Sequence, residues 1–381
     1  MAEPLKTFFS PELVRRIGRS ITGVHPAFPE RAFVRDASRD LESLELLARA
    51  GRIAEALAAH LPADYPEAID VLLRSLGPEH ATDELVGAGM DPFFYLPHTM
   101  FVAERGLGHF DLSLRAQVEL TKRFTAEGSI RAYLAHDPER TLRAMRRWAR
   151  DPSPHVRRLV SEGTRLRLPW ARRVPWLDQH PERVIALIEP LVDDPATLVR
   201  RSVANSLNDL GKVHPALAVE TCARWLEGAS PERRALVEHA LRSAVKRGDP
   251  AALAALGFGS APRVTVERAR FEPARVRIGE RVTVTFELAS AAKKDQSLLV
   301  DLAVHFVKAR GTSRKVFKLR RVELPPGERV TVETKVSLAV HSTRKPRPGR
   351  HAVDVLVNGV AHPAGAFDVE AAAVTKKGRA R

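Results

Sequence analysis

Up to about residue 258 the apolar positions recur every three to four residues, the spacing that lays one apolar stripe along a helix. Ser-Pro and Asp-Pro pairs punctuate them at Ser10-Pro11, Asp137-Pro138, Asp151-Pro152, Asp194-Pro195 and Ser230-Pro231. A side-chain oxygen that can cap the first free N–H groups, followed by a Pro already set to helical φ, marks a helix start. Strand-like alternation is nearly absent there, so this stretch predicts an all-α domain. From Val264 the texture changes to β-branched residues in period-two alternation (RVTVERARF, RVTVTFEL, LLVDLAVHFVKA, KVFKLRRVEL, RVTVETKVSL, HAVDVLVNGV), broken at Pro325-Pro326-Gly327 and Pro348-Gly349. About seven short strands with such turns predict an all-β immunoglobulin-like sandwich. The expected organisation is a helical domain over 1–258, a linker over 259–263, a sandwich over 264–370 and a basic disordered tail over 371–381.

Within the helical part, Asp151-Pro152 followed by Val156-Arg157-Arg158 recurs as Asp194-Pro195 followed by Val199-Arg200-Arg201. A period of about 43 residues with Asp-Pro ahead of Val-Arg fits a HEAT-type helical pair. The fold class is therefore a HEAT-like α-solenoid, an open concave stack of helical pairs with no obvious deep pocket, followed by the sandwich.

Composition sets the limits on function. The chain has 381 residues, of which 44% are hydrophobic, and a single cysteine, Cys222. That excludes a disulfide framework, a CxxC redox pair and a thiolate metal site. The Arg-studded N-terminus lacks the apolar core of a secretory signal, and no stretch of 18 apolar residues occurs, so a cytoplasmic chain is expected. The net charge of +15 is unevenly placed. Residues 261–381 carry 25 Lys and Arg against 12 Asp and Glu, whereas 1–260 carry 36 against 34. The sandwich thus holds nearly the whole excess, in the runs 308–315, 318–321 and 344–350. A basic β-domain suits a polyanion such as nucleic acid.

The helical part concentrates its candidate chemistry in three segments. In His155–Ala171, Arg158 and Glu162 stand at i, i+4 and can pair, the helix ends at Gly163, and Leu168-Pro169-Trp170 presents an indole from a loop. Upstream, RFTAEGSIR places Glu127 and Gly128 at what reads as a helix end, followed by Arg131; downstream, NSLNDLGK offers Asn208 and Asp209. In the repeat alignment Asn205 takes the place of Glu162. A carboxylate at a helix C-terminus is disfavoured by the macrodipole, so each asks for a cation, either a neighbour such as Arg131 or Arg165 or a cationic ligand. His155 reads as a phosphate or packing contact rather than a metal ligand.

These segments carry a family resemblance. PLKTFFSPELVRRIGRSI with VHPAFPERAFV, RFTAEGSIRAYL, SPHVRRLVSEGTRLRLPWA, VRRSVANSLNDLGKVHP and VHFVKARGTSRKVFKL, in that order over about residues 3–370, resemble the AlkC-type DNA alkylation-repair glycosylases, HEAT-like relatives of the AlkD enzymes. Leu166 stands where many relatives have Pro. The resemblance implies a monofunctional glycosylase that removes cationic N3-alkylated bases (3-methyladenine, 3-methylcytosine) from duplex DNA without flipping them. It implies catalytic Glu127 and Glu162, with Trp170 against the deoxyribose. Arg158 and Asp209 are implied as supporting residues, joined here by Asn208 and Arg131. Candidate DNA contacts are His155, Arg165 and Arg167 in the solenoid and Lys308, Arg314, Lys315 and Lys318 in the sandwich. No metal or cofactor is expected; the expected partner is alkylated double-stranded DNA, with no membrane and no obligate protein partner, the chain acting as a monomer. No Lys in the catalytic segments is placed for a Schiff base, since only Lys122 and Lys212 lie near them. The rival reading is a non-catalytic HEAT scaffold that binds nucleic acid or protein.

Overall fold

The structure is a computed structural model describing residues 4–80, 91–258, 262–341 and 345–371. Residues 259–261 of the expected linker, Arg344 of the third basic run and the tail from 372 lie outside the described residues. No helix among the described residues is long and apolar enough to cross a membrane.

The chain forms α1 (Pro11–Thr22), α2 (Glu30–Ser38), α3 (Leu46–His60), α4 (Tyr65–Arg74), α5 (Leu96–Arg105), α6 (Phe110–Thr121) and α7 (Ile130–His136). Then follow α8 (Pro138–Trp148), α9 (Pro154–Gly163), α10 (Pro175–Gln179), α11 (Pro181–Ile188), α12 (Thr197–Leu210), α13 (Pro215–Leu226), α14 (Pro231–Arg247) and α15 (Pro250–Ala255). It closes with β1 (Val264–Glu272), β2 (Arg275–Arg277), β3 (Arg281–Ser290), β4 (Gln296–Val307), β5 (Thr312–Leu324), β6 (Arg329–Ser337), β7 (Gly349–Val357) and β8 (Val360–Glu370). Contacts divide it into two compact units, 1–241 and 242–381.

In the first unit the Ser-Pro and Asp-Pro pairs behave in two ways. Ser10 and Asp137 cap α1 and α8, accepting the Leu13 and Arg140 N–H at 3.3 and 2.9 Å, and Ser230 accepts the Arg233 N–H at 3.1 Å ahead of α14. Asp151 and Asp194 instead close turns two residues long, onto the Ser153 and Ala196 N–H groups, and their helices begin only at Pro154 and Thr197. The displacement explains the repeat. The first Arg of each Val-Arg-Arg reaches back to those turns: Arg157 donates to the Asp151 and Pro152 carbonyls, and Arg200 to those of Asp194 and Pro195. Arg157 also grips the Asp194 carboxylate at 2.6 and 3.0 Å, tying one repeat to the next. The repeat motif is thus a stacking device, and α9 lies along α12, with α8 and α11 packed behind them. Val156, Leu159 and Val160 of α9 and Val199, Val203 and Leu207 of α12 are buried, and Ser161 and Glu162 of α9 meet Ser202 of α12.

The second unit is a two-sheet sandwich, of order β1-β3-β6 and β2-β8-β7-β4-β5. Alternation sets its core: Val282, Val284, Phe286 and Leu288 of β3 face Leu298, Val300, Leu302, Val304 and Phe306 of β4. Among the described residues there are eight strands rather than about seven, two of them, β2 and β8, outside the six segments whose alternation is plain. β2 spans three residues and pairs in parallel with β8, too short for alternation to reveal. α15 belongs to this unit, where Gly248 meets Gly359 so closely that a Cβ on Gly359 would lie 2.5 Å from the Gly248 Cα. Only glycine fits either position, both also having positive φ.

Candidate active site

Three segments of the first unit converge on one chain of charges. Glu127 lies in the turn between α6 and α7, three residues ahead of Ile130. It is therefore at a helix entrance, not at the helix C-terminus expected from the sequence, and the macrodipole does not oppose it. Thr125 shapes the turn, its hydroxyl donating to Glu127 Oε2 at 3.0 Å and accepting the Glu127 N–H at 3.2 Å. Glu162 and Asp209 do sit in the last turns of α9 and α12.

Arg158, one turn before Glu162, links the first two acids. Its Nη2 lies 2.9 Å from Glu127 Oε2 and 3.9 Å from Glu162 Oε2, which confines the two oxygens to within about 7 Å of each other, the scale of paired carboxylates in glycoside hydrolysis. Glu162 Oε1 pairs with Arg165 at 2.5 Å, and its Oε2 accepts the Ser202 hydroxyl at 2.6 Å. Arg165 continues to Asp209 at 2.8 Å, and Asp209 to Lys212 at 2.7 Å. Burial alone would lower the Arg165 pKa, but Glu162 and Asp209 outweigh it and hold the guanidinium above its usual value. Three carboxylates and three cations thus alternate along the chain. Burial distinguishes the acids: the Glu127 side chain keeps 25% of its surface exposed, Glu162 6% and Asp209 1%.

Glu127 and Arg158 open onto a cavity of about 570 Å³ that also has Phe124, Leu168, Pro169 and Trp170 in its wall, with Leu47 of α3 and Leu96, Met100 and Ala103 of α5. The open concavity expected of a solenoid narrows here to a half-open cleft. The physical reason is that α3, α5 and the 168–172 loop rise around the 124–129 turn. Trp170 is 70% exposed and has φ +61°, a left-handed conformation costly for a large side chain and sustained only where the surroundings impose it.

Arg131 imposes it. Expected to pair with an acid, this fully buried guanidinium donates instead to three carbonyls, those of Gly163 and Arg165 at 2.9 Å each and of Arg172 at 2.6 Å. It closes both ends of the Trp170 loop and takes up a terminal carbonyl of α9. Desolvation pulls its pKa down to about 10, well above neutrality, so it stays charged.

Other expected residues are placed elsewhere. Asn208 is buried on α12 and, like Asp209, is absent from the cavity wall. Asn205 turns to His239 at 3.1 Å. Arg165 and Arg167, expected as DNA contacts, are engaged internally, Arg167 with Asp178 at 2.8 and 3.1 Å. His155 is buried at the far end of α9 from Glu162, its ring 4.6 Å from that of His80. In the sandwich, Lys308 follows β4 and the exposed Arg314, Lys315 and Lys318 lie on β5, the edge strand. Pairing opposite His305 and Asp301 puts Arg314 and Lys318 on one face; Lys315, opposite Val304, lies on the other, over the Phe317 ring. Sequence reasoning missed Thr125, Ser202, the pairing of Lys212 with Asp209 and the whole wall from α3 and α5. Only Thr125, two residues before Glu127, carried a signal, since Thr readily closes such a turn onto its own backbone.

Comparison with known proteins bears on the family and the fold. Residues 124–247 match the model of the DNA alkylation repair enzyme family, and residues 265–371 that of the C-terminal Ig-like domain of the uncharacterised protein YhaZ. The chain is 32% identical over 358 residues to the uncharacterised protein YhaZ of Bacillus subtilis, covering 93% of this chain and 96% of that one. It matches the alkylpurine DNA glycosylase AlkC of Pseudomonas fluorescens, solved bound to DNA containing an abasic site analogue, with a TM-score of 0.87 and 35% identity, over 97% of this chain and 100% of the other.

Proposed function

The chain belongs to the AlkC-type family of DNA alkylation repair enzymes, and from that premise we propose that it is a monofunctional glycosylase acting on cationic N3-alkylated bases, 3-methyladenine and 3-methylcytosine among them, in duplex DNA. The observation that carries the reading is a partly exposed carboxylate, Glu127, held at a cavity beside a second acid by a shared Arg158.

The chemistry follows from charge. An N3-alkylated base is already cationic, so it departs as a neutral molecule once the N9–C1′ or N1–C1′ bond breaks and needs no proton from the enzyme. What must be stabilised is the oxocarbenium-like sugar left behind. Glu127 faces that cation and accepts a proton from the attacking water, whose oxygen bonds to C1′. Glu162 and Asp209, nearly sealed, act through Arg158 and Arg165 to hold Glu127 in place. The Trp170 indole lies against the deoxyribose and adds cation–π attraction of roughly 0.5–2 kcal/mol.

The lesion keeps its place in the stack. Several polar groups of the wall are turned away from a base edge, Glu127 and Arg158 binding each other, Thr99 its own helix carbonyl and Ser129 the Gln117 side chain, while Glu104 and Arg172 are the other charged side chains there. No lysine is among the described residues of the cavity wall, and Lys122 and Lys212 are held by Glu119 and Asp209, which supports hydrolysis without strand cleavage.

Incubation with N-methylated duplex DNA tests the reading by chromatography of free base. Release of 3-methyladenine or 3-methylcytosine, leaving intact strands with abasic sites, is expected; binding without release would leave a passive scaffold.

The basic edge of the sandwich serves as a DNA backbone contact in the same proposal. Each phosphate contact adds about 0.9 to the slope of log affinity against log salt. Arg314→Glu with Lys318→Glu is therefore expected to flatten that slope by roughly 2 in a fluorescence-anisotropy titration. An unaltered slope removes strand β5 from the interface.

A further inference from the structure

Beyond the glycosylase reading, and resting on its duplex DNA substrate, we infer that an arginine stripe on α8 binds the phosphate backbone of a second duplex, so that the protein passes directly from one DNA segment to another. The stripe comprises Arg143, Arg146, Arg147 and Arg150, all exposed and none in an ion pair among the described residues. The acids beside it are engaged elsewhere. Asp111 of α6 pairs with Arg140 at 2.8 Å, and Glu139 pairs with Arg183. The Arg140 hydrogen bond first, then the nearby Arg115 and Arg147, hold the Asp111 carboxyl below its usual range, so one acid stands among several cations.

The fold does not require these arginines. At the 43-residue offset of the Asp-Pro repeat, Pro138-Glu139-Arg140 of α8 recurs as Pro181-Glu182-Arg183 of α11. Arg143, Arg146, Arg147 and Arg150 then fall opposite Ala186, Glu189, Pro190 and Asp193, so the same slot of the next repeat is neutral or acidic. Helix α8 also carries the stripe at a cost, since Arg143 and Arg147 are like charges at i, i+4. The macrodipole favours cations at the end of a helix, which does not account for Arg143 in the middle of α8. Nor does a general excess of charge, because residues 1–260 hold 36 basic side chains against 34 acidic ones.

The stripe points away from the reacting groups. Met145 packs on Gly163, the residue after Glu162, where an added Cβ would lie 3.4 Å from the Met145 Cε. Arg143 and Arg147 stand two residues to either side of Met145 and therefore about 160° round the helix from it. No residue of α8 is among the described residues of the cavity wall at Glu127. A duplex engaged at Glu127 and one lying on the stripe thus occupy opposite sides of α8.

The chemistry selects a phosphate backbone over a protein. Arg140, Arg143 and Arg147 span about 10 Å at 1.5 Å per residue, a length over which duplex DNA carries about six phosphates. Guanidinium forks match phosphate oxygens two at a time. A protein partner would want an apolar or aromatic anchor at the centre of its interface, and the large apolar side chains exposed among the described residues include none on α8.

Dissociation kinetics test the inference. The full chain is bound to a fluorescent duplex holding a tetrahydrofuran site, and its release is followed by stopped-flow anisotropy against increasing unlabelled duplex. The wild-type rate is expected to rise at least about fivefold as competitor is raised about a hundredfold, because the second duplex boards before the first leaves. Arg143→Glu with Arg147→Glu, at exposed positions without ion pairs, is expected to make that rate independent of competitor. Its affinity for a single duplex and its release of 3-methyladenine at saturating enzyme should stay within about twofold of wild type. Arg143→Gln with Arg147→Gln is expected to fall between the two. A wild-type rate that ignores competitor, or a competitor dependence that survives in the Glu variant, overturns the inference and leaves the glycosylase reading standing. Loss of single-duplex affinity in the variant overturns it too, by placing the stripe on the one DNA interface. So does a stripe that takes polyglutamate but not DNA, which would assign it to an acidic protein. A wild-type protein that holds no duplex at all refutes the glycosylase reading itself, and the inference with it.

Discussion

Glu127→Gln is expected to slow base release from N-methylated duplex DNA by about 10²–10³-fold, the usual effect of removing one group placed where charge develops in the transition state. The substitution keeps the shape and the hydrogen bond from Thr125 and deletes only the charge. Because the Glu127 side chain is a quarter exposed and makes a single ion pair, its removal should cost no more than an exposed salt bridge, about 0–1 kcal/mol. Rate and melting temperature measured on one preparation check both halves: a large fall in rate with an almost unmoved melting curve is the expected pattern.

Glu162→Gln should behave otherwise. Its carboxylate is buried, bonded to Arg165 and Ser202 and close to Arg158. Removing one partner of a buried charge pair leaves uncompensated charge and costs about 3–5 kcal/mol; the Asp209 contact that Arg165 retains places Glu162→Gln near the lower bound. In a unit of this size that lowers the melting temperature by roughly 6–12 °C. Activity should fall as well, since Arg158 and Arg165 lose the acid they share. Thermal unfolding followed by circular dichroism separates the two acids: a Glu162→Gln melt identical to that of Glu127→Gln would contradict the division between an exposed reacting group and a buried support.

That division was only half legible in the sequence. Glu127, Glu162, Arg158 and Asp209 stand in recognisable segments, and the i, i+4 spacing of Arg158 and Glu162 foretold their pairing. Which acid meets solvent depends on more than local spacing: Arg165, at i+3 and already a candidate partner, is shared with distant Asp209, and Ser202, forty residues from Glu162, closes it off in a way no local pattern announces. The Asp-Pro repeats were visible for the same local reason, but their helices begin later than Asp151 and Asp194 suggest, because each aspartate closes a turn before a cap can form. Arg131 misled in an instructive way. Beside acidic segments a cation reads as a carboxylate partner, whereas burial and three converging carbonyls make it the clasp of the Trp170 loop. The cavity wall was invisible because α3 and α5 are separated from Glu127 by dozens of residues and carry ordinary helical patterns.

The central claim is that Glu127 offsets positive charge on the sugar. Affinity for duplex DNA holding a cationic pyrrolidine analogue of the sugar, set against the same duplex with a neutral tetrahydrofuran analogue, measures this directly, since a site built for the transition state binds its charged mimic more tightly. Wild-type protein should prefer the cationic duplex by at least about tenfold, and Glu127→Gln should bind both alike. Equal affinity of the wild-type protein for the two duplexes would contradict the account.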